Sequence, residues 1–341
     1  MRALTIAAAQ YPIDWLESFS AFEAKLSRWV EDGVRQGAEL LVFPEYAGLE
    51  LASLSGREAA GDLKRSIAAV STHLPQADAA HAHLAHRHGV SILAGSAPER
   101  NADGSVRNVA RLFTPDGACG RQEKMMMTRF EREQWGVSGG SELSVFDIGP
   151  ARIGIAICYD VEFPLIARAL AKAGAEVILA PSCTDTVHGY WRVRVGAQAR
   201  ALENQCVVVQ APLVGAVDWS PAVDINRGAA GVFGPPDLGF PEDGVIAQGE
   251  MDEPCFVTAR LDLDAVARVR AEGQVFNHRH WDEQKGVASA IRVDLAAPAR
   301  EVVIPLTPIR PNSRPTSPLD GEASRKKRLR NSSLKSSDRR S

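Results

Sequence analysis

Three residues with reactive side chains stand out in the sequence. Glu45 follows the apolar segment 40–44, and Cys158 follows the apolar segment 153–157. Both segments have the length of a strand, and α/β proteins bind ligands at the carboxyl ends of their strands. Lys124 lies in a short polar stretch before three consecutive methionines. Each residue alone also fits a structural or solvated role, so the prediction depends on all three acting together.

Together these side chains are suited to nucleophilic catalysis. A thiol with an ordinary pKa of about 8.5 needs a base before it attacks a carbonyl or nitrile carbon at neutral pH. Glu45 could act as that base, and the ammonium group of Lys124 could hold the oxyanion that forms. Pro164 opens a predicted helix after Cys158. We expect the amides at that helix N-terminus to favour the thiolate.

Alternating strands and helices must position these residues. Apolar, β-branched runs with turn residues at their ends predict strands over 4–9, 40–43, 90–94, 109–113, 153–157, 177–180, 207–210 and 257–261. Helical periodicity and end signals predict helices over 18–37, about 77–88, 164–172 and 191–204, the last with Val195, Ala199 and Leu202 inward. This order predicts an α/β fold in layers, with at least one sheet covered by helices.

The motifs around the reactive residues resemble those of one known family. They are Phe43-Pro44-Glu45, Lys124, Ile157-Cys158-Tyr159-Asp160-Val161-Glu162-Phe163-Pro164, Gly174-Ala175, Pro181-Ser182-Cys183-Thr184, Trp191-Arg192 and residues 200–205. Over about residues 4–280 the chain thereby resembles the nitrilase superfamily of carbon–nitrogen hydrolases. The resemblance implies an α-β-β-α sandwich that pairs with a second copy across a helical face, as a homodimer or larger homo-oligomer.

The resemblance also implies roles for the matching residues. Cys158 would be the nucleophile, Glu45 the general base and Lys124 the cation that stabilises the oxyanion. The backbone amide of Tyr159 would be a second oxyanion donor. This set of roles needs neither a metal nor an organic cofactor, and the expected partner is a small-molecule amide.

Further residues are candidates for the walls of the site. The resemblance implies another carboxylate shortly before a Trp-Gly pair, where this chain has both Glu131 and Glu133, and the spacing favours Glu131. Thr184 and His188 lie in the stretch 184–190, a candidate substrate-binding wall. A neutral His in a loop is more often structural, so both interpretations of His188 stay open.

Two other stretches invite a functional interpretation. The loop 215–244 is rich in Gly, Pro and Asp, and the resemblance places it near the site, where Asp218, Trp219 or Phe233 could shape a pocket. A plain surface loop is an equally good interpretation. Four histidines lie between residues 81 and 88, but their helical spacing does not give three ligands on one face. We therefore expect them to be structural or solvated.

The resemblance implies a reaction as well. We expect hydrolysis of a non-peptide C–N bond, an aliphatic amide giving an acid and ammonia or an amine through a thioester. Cys158-Tyr159-Asp160 is more like the amidase branches than the Cys-Trp-Glu of many nitrilases. Glu162 replaces the Arg of many dicarboxylate-monoamide hydrolases, which predicts that acidic amides are poorer substrates than neutral or cationic ones. The alternatives are a nitrilase, an N-carbamoyl hydrolase, acyl transfer to an amine, or a catalytically silent scaffold.

Composition limits the class of protein. Of the 341 residues, 45% are apolar and 24% charged, which is typical of globular proteins and excludes collagen, coiled coil and wholesale disorder. The five cysteines are dispersed, which fits a reducing compartment better than a disulfide framework or a zinc site. No apolar run reaches the roughly 20 residues of a membrane helix, and no signal peptide is evident. We expect a cytoplasmic protein without membrane contact.

Charge divides the chain into two parts. Residues 311–341 contain nine Lys or Arg against three Asp or Glu, a net +6, so the remainder carries −9 of the total −3. That acidic remainder argues against a nucleic-acid-binding fold. The Ser-rich basic tail predicts disorder, with at most non-specific contacts to anionic partners. We expect a hydrolase domain over 1–285, an arm or extra strand over 286–310, and a tail over 311–341.

Overall fold

The computed structural model describes residues 1–287, together with 290 and 292. Met1–Val287 form one unit, whereas the predicted tail and nearly all of the predicted arm lie outside the described residues. Among residues 1–287, no helix combines the length and the apolar character needed to cross a membrane.

Every predicted strand is present, and most are longer than predicted. The strands are β1 (Ala3–Pro12), β2 (Leu40–Val42), β3 (Ser91–Arg100), β4 (Val106–Phe113), β5 (Cys119–Glu123), β6 (Val145–Asp147), β7 (Arg152–Ile155), β8 (Val177–Ser182), β9 (Val207–Ala216), β10 (Ile225–Asn226), β11 (Gly231–Phe233), β12 (Val245–Gln248) and β13 (Cys255–Asp262). The helices are α1 (Phe19–Arg35), α2 (Arg57–Ala60), α3 (Leu63–His88), α4 (Pro164–Lys172), α5 (Val187–Asn204), α6 (Leu263–Glu272) and α7 (Asn277–His280).

The strands form two sheets that meet at β1. The first has the order β5-β4-β3-β2-β1-β13, in which β1, β2 and β3 run parallel to one another. The second has the order β6-β7-β8-β9-β11-β12, with β7, β8 and β9 parallel. Tyr11 and Pro12 at the end of β1 pair with Leu213 and Val214 of β9 and so join the two sheets.

Alternate residues of β1 face different layers, because side chains of a strand point to opposite faces in turn. Leu4 and Ile6 belong to the core that also contains residues of β7, β8 and β9. Ala7 and Ala9 belong to a second core, which contains residues of α1 and α3. On the other side of the molecule, β7 packs on α4 and β9 packs on α5. The layers therefore form the predicted α-β-β-α sandwich of the nitrilase type.

Helix α3 is longer than the prediction of about 77–88. It begins at Leu63 because Asp62 caps it, accepting hydrogen bonds from the backbone amides of Lys64 and Arg65. Pro75 lies inside the helix. A proline in that position usually ends a helix, since it lacks the N–H of the helical hydrogen bond, and here the packing of α3 on the first sheet outweighs that loss.

The predicted inward face of α5 was wrong. Val195 and Leu202 are 59% and 40% exposed, while Val193, Ala197 and Ala201 face the core. The helix carries two apolar stripes, and the sequence alone does not say which one packs on β9.

Between α4 and the second sheet, Gly154 of β7 allows a close approach, since a Cβ there would lie 3.0 Å from a methyl of Leu170.

Candidate active site

The main candidate residues of the sequence lie around one cleft of about 650 Å³. Its walls include Glu45, Lys124, Glu131 and Cys158, which the chain places far apart in sequence. All four side chains are at least 95% buried. The structure therefore brings together the three residues predicted to act as one unit and the carboxylate favoured by spacing.

A close approach between the backbone at Pro44 and strand β3 positions Glu45. The residue follows β2 directly after Pro44, and the neighbouring strand β3 passes so close that a Cβ on Gly95 would lie 2.0 Å from the Pro44 carbonyl oxygen. Gly95 also has φ +74°, which favours glycine. The next residue is held as well, because the backbone amide of Tyr46 donates to Oγ of Ser96 at 3.1 Å.

A strained turn presents Cys158. The residue starts a short 3-10 helix, Cys158–Glu162, just after β7, and its φ of +49° is unusual for a residue with a side chain. Its Sγ lies 3.6 Å from the carbonyl oxygen of Cys183. Lys124 reaches the same cleft from the end of β5, where its backbone amide donates to the Asn108 carbonyl at 2.9 Å.

Lys124 is held between two carboxylates. Its Nζ lies 2.7 Å from Oε1 of Glu45 and 2.8 Å from both carboxylate oxygens of Glu131. A buried ammonium needs such partners, because leaving it unpaired away from water costs several kcal/mol, on the order of 3–5. One cation therefore balances two acids, and this part of the cleft carries one uncompensated negative charge when both are ionised.

Sequence reasoning missed two further partners of Glu45. Nδ2 of Asn108 donates to its Oε1 at 2.9 Å, and the backbone amide of Cys183 donates to its Oε2 at 3.0 Å. Asn108 lies in β4 and is fully buried. An amide side chain inside an otherwise apolar strand was the available signal, because buried polar groups are almost always hydrogen-bonded.

The structure separates Glu131 from Glu133. Glu131 lies in a short π-helix, Glu131–Trp135, where it accepts hydrogen bonds from the Tyr46 hydroxyl and from the backbone amide of Thr128 at 2.7 Å. Glu133 does not line the cleft and pairs with Arg129 in a solvent-exposed ion pair. Only Glu131 is therefore placed to act with Lys124.

Burial and neighbouring charges set the protonation of the cluster. Burial raises the pKa of Glu45 to about 7, against the opposing charge of Lys124 and with a further contribution from the negative charge of Glu131. Burial also acts on Glu131, but the charge and hydrogen bonds of Lys124 outweigh it and lower the pKa of that carboxyl. The two acids raise the pKa of Lys124 well above its ordinary value despite burial. Within this cluster, Glu45 is thus the carboxyl with a pKa near neutrality.

Cys158 rests as a thiol. Burial and the negative charge of Glu45 raise its pKa well above the ordinary value, although Lys124 opposes them. Helix α4 begins at Pro164 as predicted, but the raised pKa disagrees with the expectation that its N-terminal amides favour the thiolate, because burial and the charge of Glu45 outweigh them. An attack by this sulfur therefore requires a base at the moment of reaction, and Glu45 is the carboxyl with a suitable pKa.

The remaining candidates are divided between the cleft and the surface. Tyr159 and Thr184 line the cleft. His188 is exposed in the first turn of α5 and is not among the cleft residues, so the structure does not bring it to the site. Of the four histidines, His81 is buried and bonded to the Ala77 carbonyl. Within residues 1–287, no three His, Cys, Asp or Glu side chains are grouped as a metal site.

The loop 215–244 reaches the cleft, but through residues other than those proposed. Trp219 is buried against Trp15, Phe233 lies in the core between the sheets, and Asp218 is exposed beside Arg57. The loop instead contributes Pro221, Ala222, Asp224 and Ile225 to the cleft wall. Their positions depend on how the loop folds back along β9, which no local pattern of residue types indicates.

Glu162 of the cleft wall has a partner of opposite charge. Nε of Arg192 in α5 lies 3.7 Å from its Oε1, and both residues line the cleft. Burial raises the pKa of Glu162, and the positive charge of Arg192 opposes that shift. The negative charge that the sequence assigned to this position is therefore largely compensated.

Comparison with known proteins shows the family of this chain. The sequence profile described as "Carbon-nitrogen hydrolase" matches residues 5–249. The chain is 33% identical to the probable hydrolase YhcX of Bacillus subtilis (strain 168) over 79% of this chain and 52% of that protein. It is 27% identical to omega-amidase NIT2 of Xenopus tropicalis, over 57% of this chain and 69% of that protein.

A solved structure supports the same assignment at the level of the fold. Saccharomyces cerevisiae Nit3, a member of branch 10 of the nitrilase superfamily, superposes with a TM-score of 0.62 at 20% identity, over 79% of this chain and 94% of that one. The chain belongs to the carbon–nitrogen hydrolase family. It spans about half the length of the Bacillus relative.

Proposed function

We propose that this chain is a cysteine-dependent amidase that converts a linear amide into a carboxylic acid and ammonia or an amine. The observation that carries the proposal is the position of Lys124 between Glu45 and Glu131, in the cleft that also contains Cys158. A structural ion pair has no need of a thiol beside it. A base with a pKa near neutrality next to a nucleophile is the arrangement that acyl transfer requires.

The first half-reaction forms a thioester. Glu45 accepts the proton of the Cys158 thiol while the sulfur attacks the amide carbon, and the carbonyl oxygen becomes an oxyanion. Lys124 and the backbone amide of Tyr159 stabilise that oxyanion. When it collapses, the C–N bond breaks, the nitrogen takes the proton from Glu45, and ammonia or an amine leaves.

The second half-reaction uses the same groups. A water molecule in the vacated space gives its proton to Glu45 and attacks the thioester carbon. The new oxyanion collapses with cleavage of the C–S bond, the acid leaves, and the sulfur takes back the proton. Glu131 accepts no proton in this scheme, since the charge of Lys124 lowers its pKa. It keeps Lys124 charged and directed toward the oxygen that becomes the oxyanion.

A panel of amides tests this proposal. We expect the purified protein to release ammonia from at least one neutral or cationic amide, and Cys158→Ala to abolish the release. Cys119→Ala is the matched control, because that thiol is exposed and does not line the cleft. Nitriles and N-carbamoyl amino acids run beside the amides, and hydrolysis of a nitrile to acid without free amide would instead favour a nitrilase. No turnover of any compound, with Cys158 unreactive toward iodoacetamide, would favour a silent scaffold.

We also propose that the chain forms a homodimer through α4 and α5. Five large apolar side chains on these two helices are 40–72% exposed: Leu165, Val187, Trp191, Val195 and Leu202. The two helices contact each other, and large apolar side chains left exposed on neighbouring helices are typical of an interaction surface. A second copy is the occupant that fits, because the identical face supplies the matching apolar patch in a two-fold arrangement.

Light scattering after gel filtration tests this interface. We expect Val195→Asp to shift the protein toward monomer, because a buried unpaired carboxylate at an apolar interface is costly. Leu238→Asp is the matched control, since that leucine is 54% exposed but lies outside α4 and α5. An unchanged mass for Val195→Asp would contradict the proposal.

A further inference from the structure

Beside Glu45 and Glu131, a third buried carboxylate, Asp160, adjoins the candidate site without lining the cleft. Asp160 is fully buried, yet no Lys, Arg or His within residues 1–287 forms an ion pair with it. Its partners are backbone amides instead. Met126 donates to Oδ1 at 2.7 Å, Met125 donates to both oxygens at 3.1 and 3.2 Å, and Ile157 donates to Oδ2 at 3.1 Å.

These three amides come from two separate segments of the candidate site. Met125 and Met126 directly follow Lys124, whereas Ile157 directly precedes Cys158. The carboxylate of Asp160 therefore joins the segment that carries the ammonium group to the turn that carries the thiol. In the amidase reaction these two groups must act on the same carbonyl, one on its carbon and the other on its oxygen.

The turn that contains Cys158 has an unusual backbone conformation, which neighbouring groups must stabilise. Cys158 has a φ of +49°, and a side-chain-bearing residue keeps that conformation only where its surroundings hold it. Asp160 lies two residues after Cys158. Its carboxylate accepts a hydrogen bond from the Ile157 amide and so bridges the turn. The same side chain thereby fixes the shape of the turn and its position relative to Lys124.

An ionised carboxylate suits this place better than any neutral side chain. It has two acceptor oxygens and no hydrogen to donate, so it can receive three converging amides. Hydrogen bonds to a charged acceptor are about twice as strong as neutral ones. An Asn of the same shape would turn its NH₂ group toward at least one of the amides. Burial raises the pKa of Asp160 to about 6, while the amides of Met126, Met125 and Ile157 lower it.

We propose that Asp160 is a positioning residue, which sets the placement of Cys158 relative to Lys124 for thioester formation. The proposal rests on the amidase function proposed above. Asp160 touches neither substrate nor the reacting atoms, so its effect passes through the two backbone segments. A displacement of about 1 Å in such a pair can cost roughly 100-fold in rate.

The test compares Asp160→Asn with Glu50→Gln. Glu50 is also a fully buried carboxylate that accepts a backbone amide, that of Asp14 at 2.7 Å, but it does not line the cleft. We expect both variants to lose thermal stability. Only Asp160→Asn should lose kcat, by about 100-fold, with KM changed by less than about threefold. A loss of kcat equal to that of Glu50→Gln would overturn the proposal.

A second readout does not depend on turnover. We expect iodoacetamide to alkylate Cys158 at least tenfold more slowly in Asp160→Asn than in wild type, and at the wild-type rate in Glu50→Gln. Equal rates in all three proteins would overturn the positioning role, even if no amide substrate is found. Absence of turnover in wild type with a slowed alkylation in Asp160→Asn would count against the amidase function and not against the positioning role.

A measurement on the unmodified chain covers the case in which Asp160→Asn does not fold. Hydrogen exchange should show the amides of Met125, Met126 and Ile157 strongly protected at pH 8. All three should lose protection together when the pH falls below about 6, as Asp160 takes up a proton. Fast exchange of the Met125 and Met126 amides at pH 8 would overturn the proposed link between the segments.

Discussion

The first half of the chain contributes to two buried clusters of lysine and carboxylate, and only one of them faces a cleft. Lys124 lies between Glu45 and Glu131 beside a space of about 650 Å³. Lys25 pairs with the fully buried Glu50, which also accepts from the Tyr11 hydroxyl at 2.9 Å. The cavity beside Glu50 measures about 30 Å³, enough for only one or two water molecules.

Their surroundings give the two clusters different consequences. Burial raises the pKa of Glu50 against the opposing charge of Lys25, and in the same way it raises that of Glu45. Lys25, however, also binds the Pro12 carbonyl at 2.6 Å, so its hydrogen bonds tie α1 to the end of β1. No thiol lies among these partners. A shifted pKa therefore indicates burial, and chemistry requires in addition a nucleophile and room for a substrate.

The largest expected difference between the clusters is in turnover. Glu45→Gln removes the carboxyl proposed to take the proton of Cys158, and we expect kcat to fall about 10³- to 10⁴-fold. Steady-state kinetics on the best amide measures this. Glu50→Gln is the control and should keep kcat within about threefold. Equal losses in the two variants would mean that the distinction between a chemical and a structural cluster is wrong.

The second difference is in stability. Lys25→Met leaves Glu50 buried without its cation, and we expect the free energy of unfolding to fall by about 3–5 kcal/mol. Urea denaturation followed by circular dichroism measures this loss. The double variant Lys25→Met/Glu50→Met should recover most of it, because the carboxylate that then lacks its cation, Asp14, is exposed to water and no buried charge is left unpaired. A loss below about 1 kcal/mol, typical of a surface pair, would contradict the structural role.

The third difference is in the pH dependence of the rate. The base must be ionised to accept a proton, so kcat/KM should be constant above the Glu45 pKa of about 7 and fall about tenfold per unit below it. Rates measured from pH 5 to pH 9 test this. The profile of Glu50→Gln should be the same as that of wild type. A rate that does not change between pH 5 and pH 7 would exclude Glu45 as the base.

A partly exposed ion pair at the cleft mouth gives the smallest expected effect. Glu162→Gln leaves Arg192 without its partner, and we expect kcat/KM for acidic amides to rise about fivefold relative to neutral ones, which corresponds to about 1 kcal/mol. Arg192→Gln should shift the ratio the opposite way. The measurement compares a dicarboxylate monoamide with its neutral counterpart. An unchanged ratio in both variants would mean that the pair does not contribute to substrate choice.

The main residues of the candidate site could be predicted from the sequence, whereas most of their hydrogen-bond partners could not. Glu45, Lys124 and Cys158 stand at strand ends with distinctive neighbours, and the strands themselves follow from β-branched runs. Asn108 and Asp160 were not assigned roles, because their partners lie 63 and up to 35 residues away and their hydrogen bonds depend on tertiary packing. The raised pKa of Cys158 also depends on burial in the folded chain, which local sequence does not indicate.

The buried faces of the helices also depend on tertiary packing, which local sequence does not indicate. In α5, both apolar stripes satisfy helical periodicity, and the choice between Val195 and Val193 as the inward residue is made by the position of β9. The extra length of α3 likewise depends on packing, since Pro75 argues locally for a helix end. Periodicity thus predicts that a face exists, and the tertiary fold decides what covers it.

The pairing of β1 has a consequence for how the protein is made. On a ribosome β1 emerges before the other strands described here, and its antiparallel neighbour β13 is synthesised about 250 residues later. The nascent sheet therefore keeps an open hydrogen-bonding edge until nearly the whole domain has emerged, and such edges invite pairing with other chains. A polypeptide that stopped at residue 249, where the family match ends, would contain every candidate catalytic residue and still lack the strand that closes this edge.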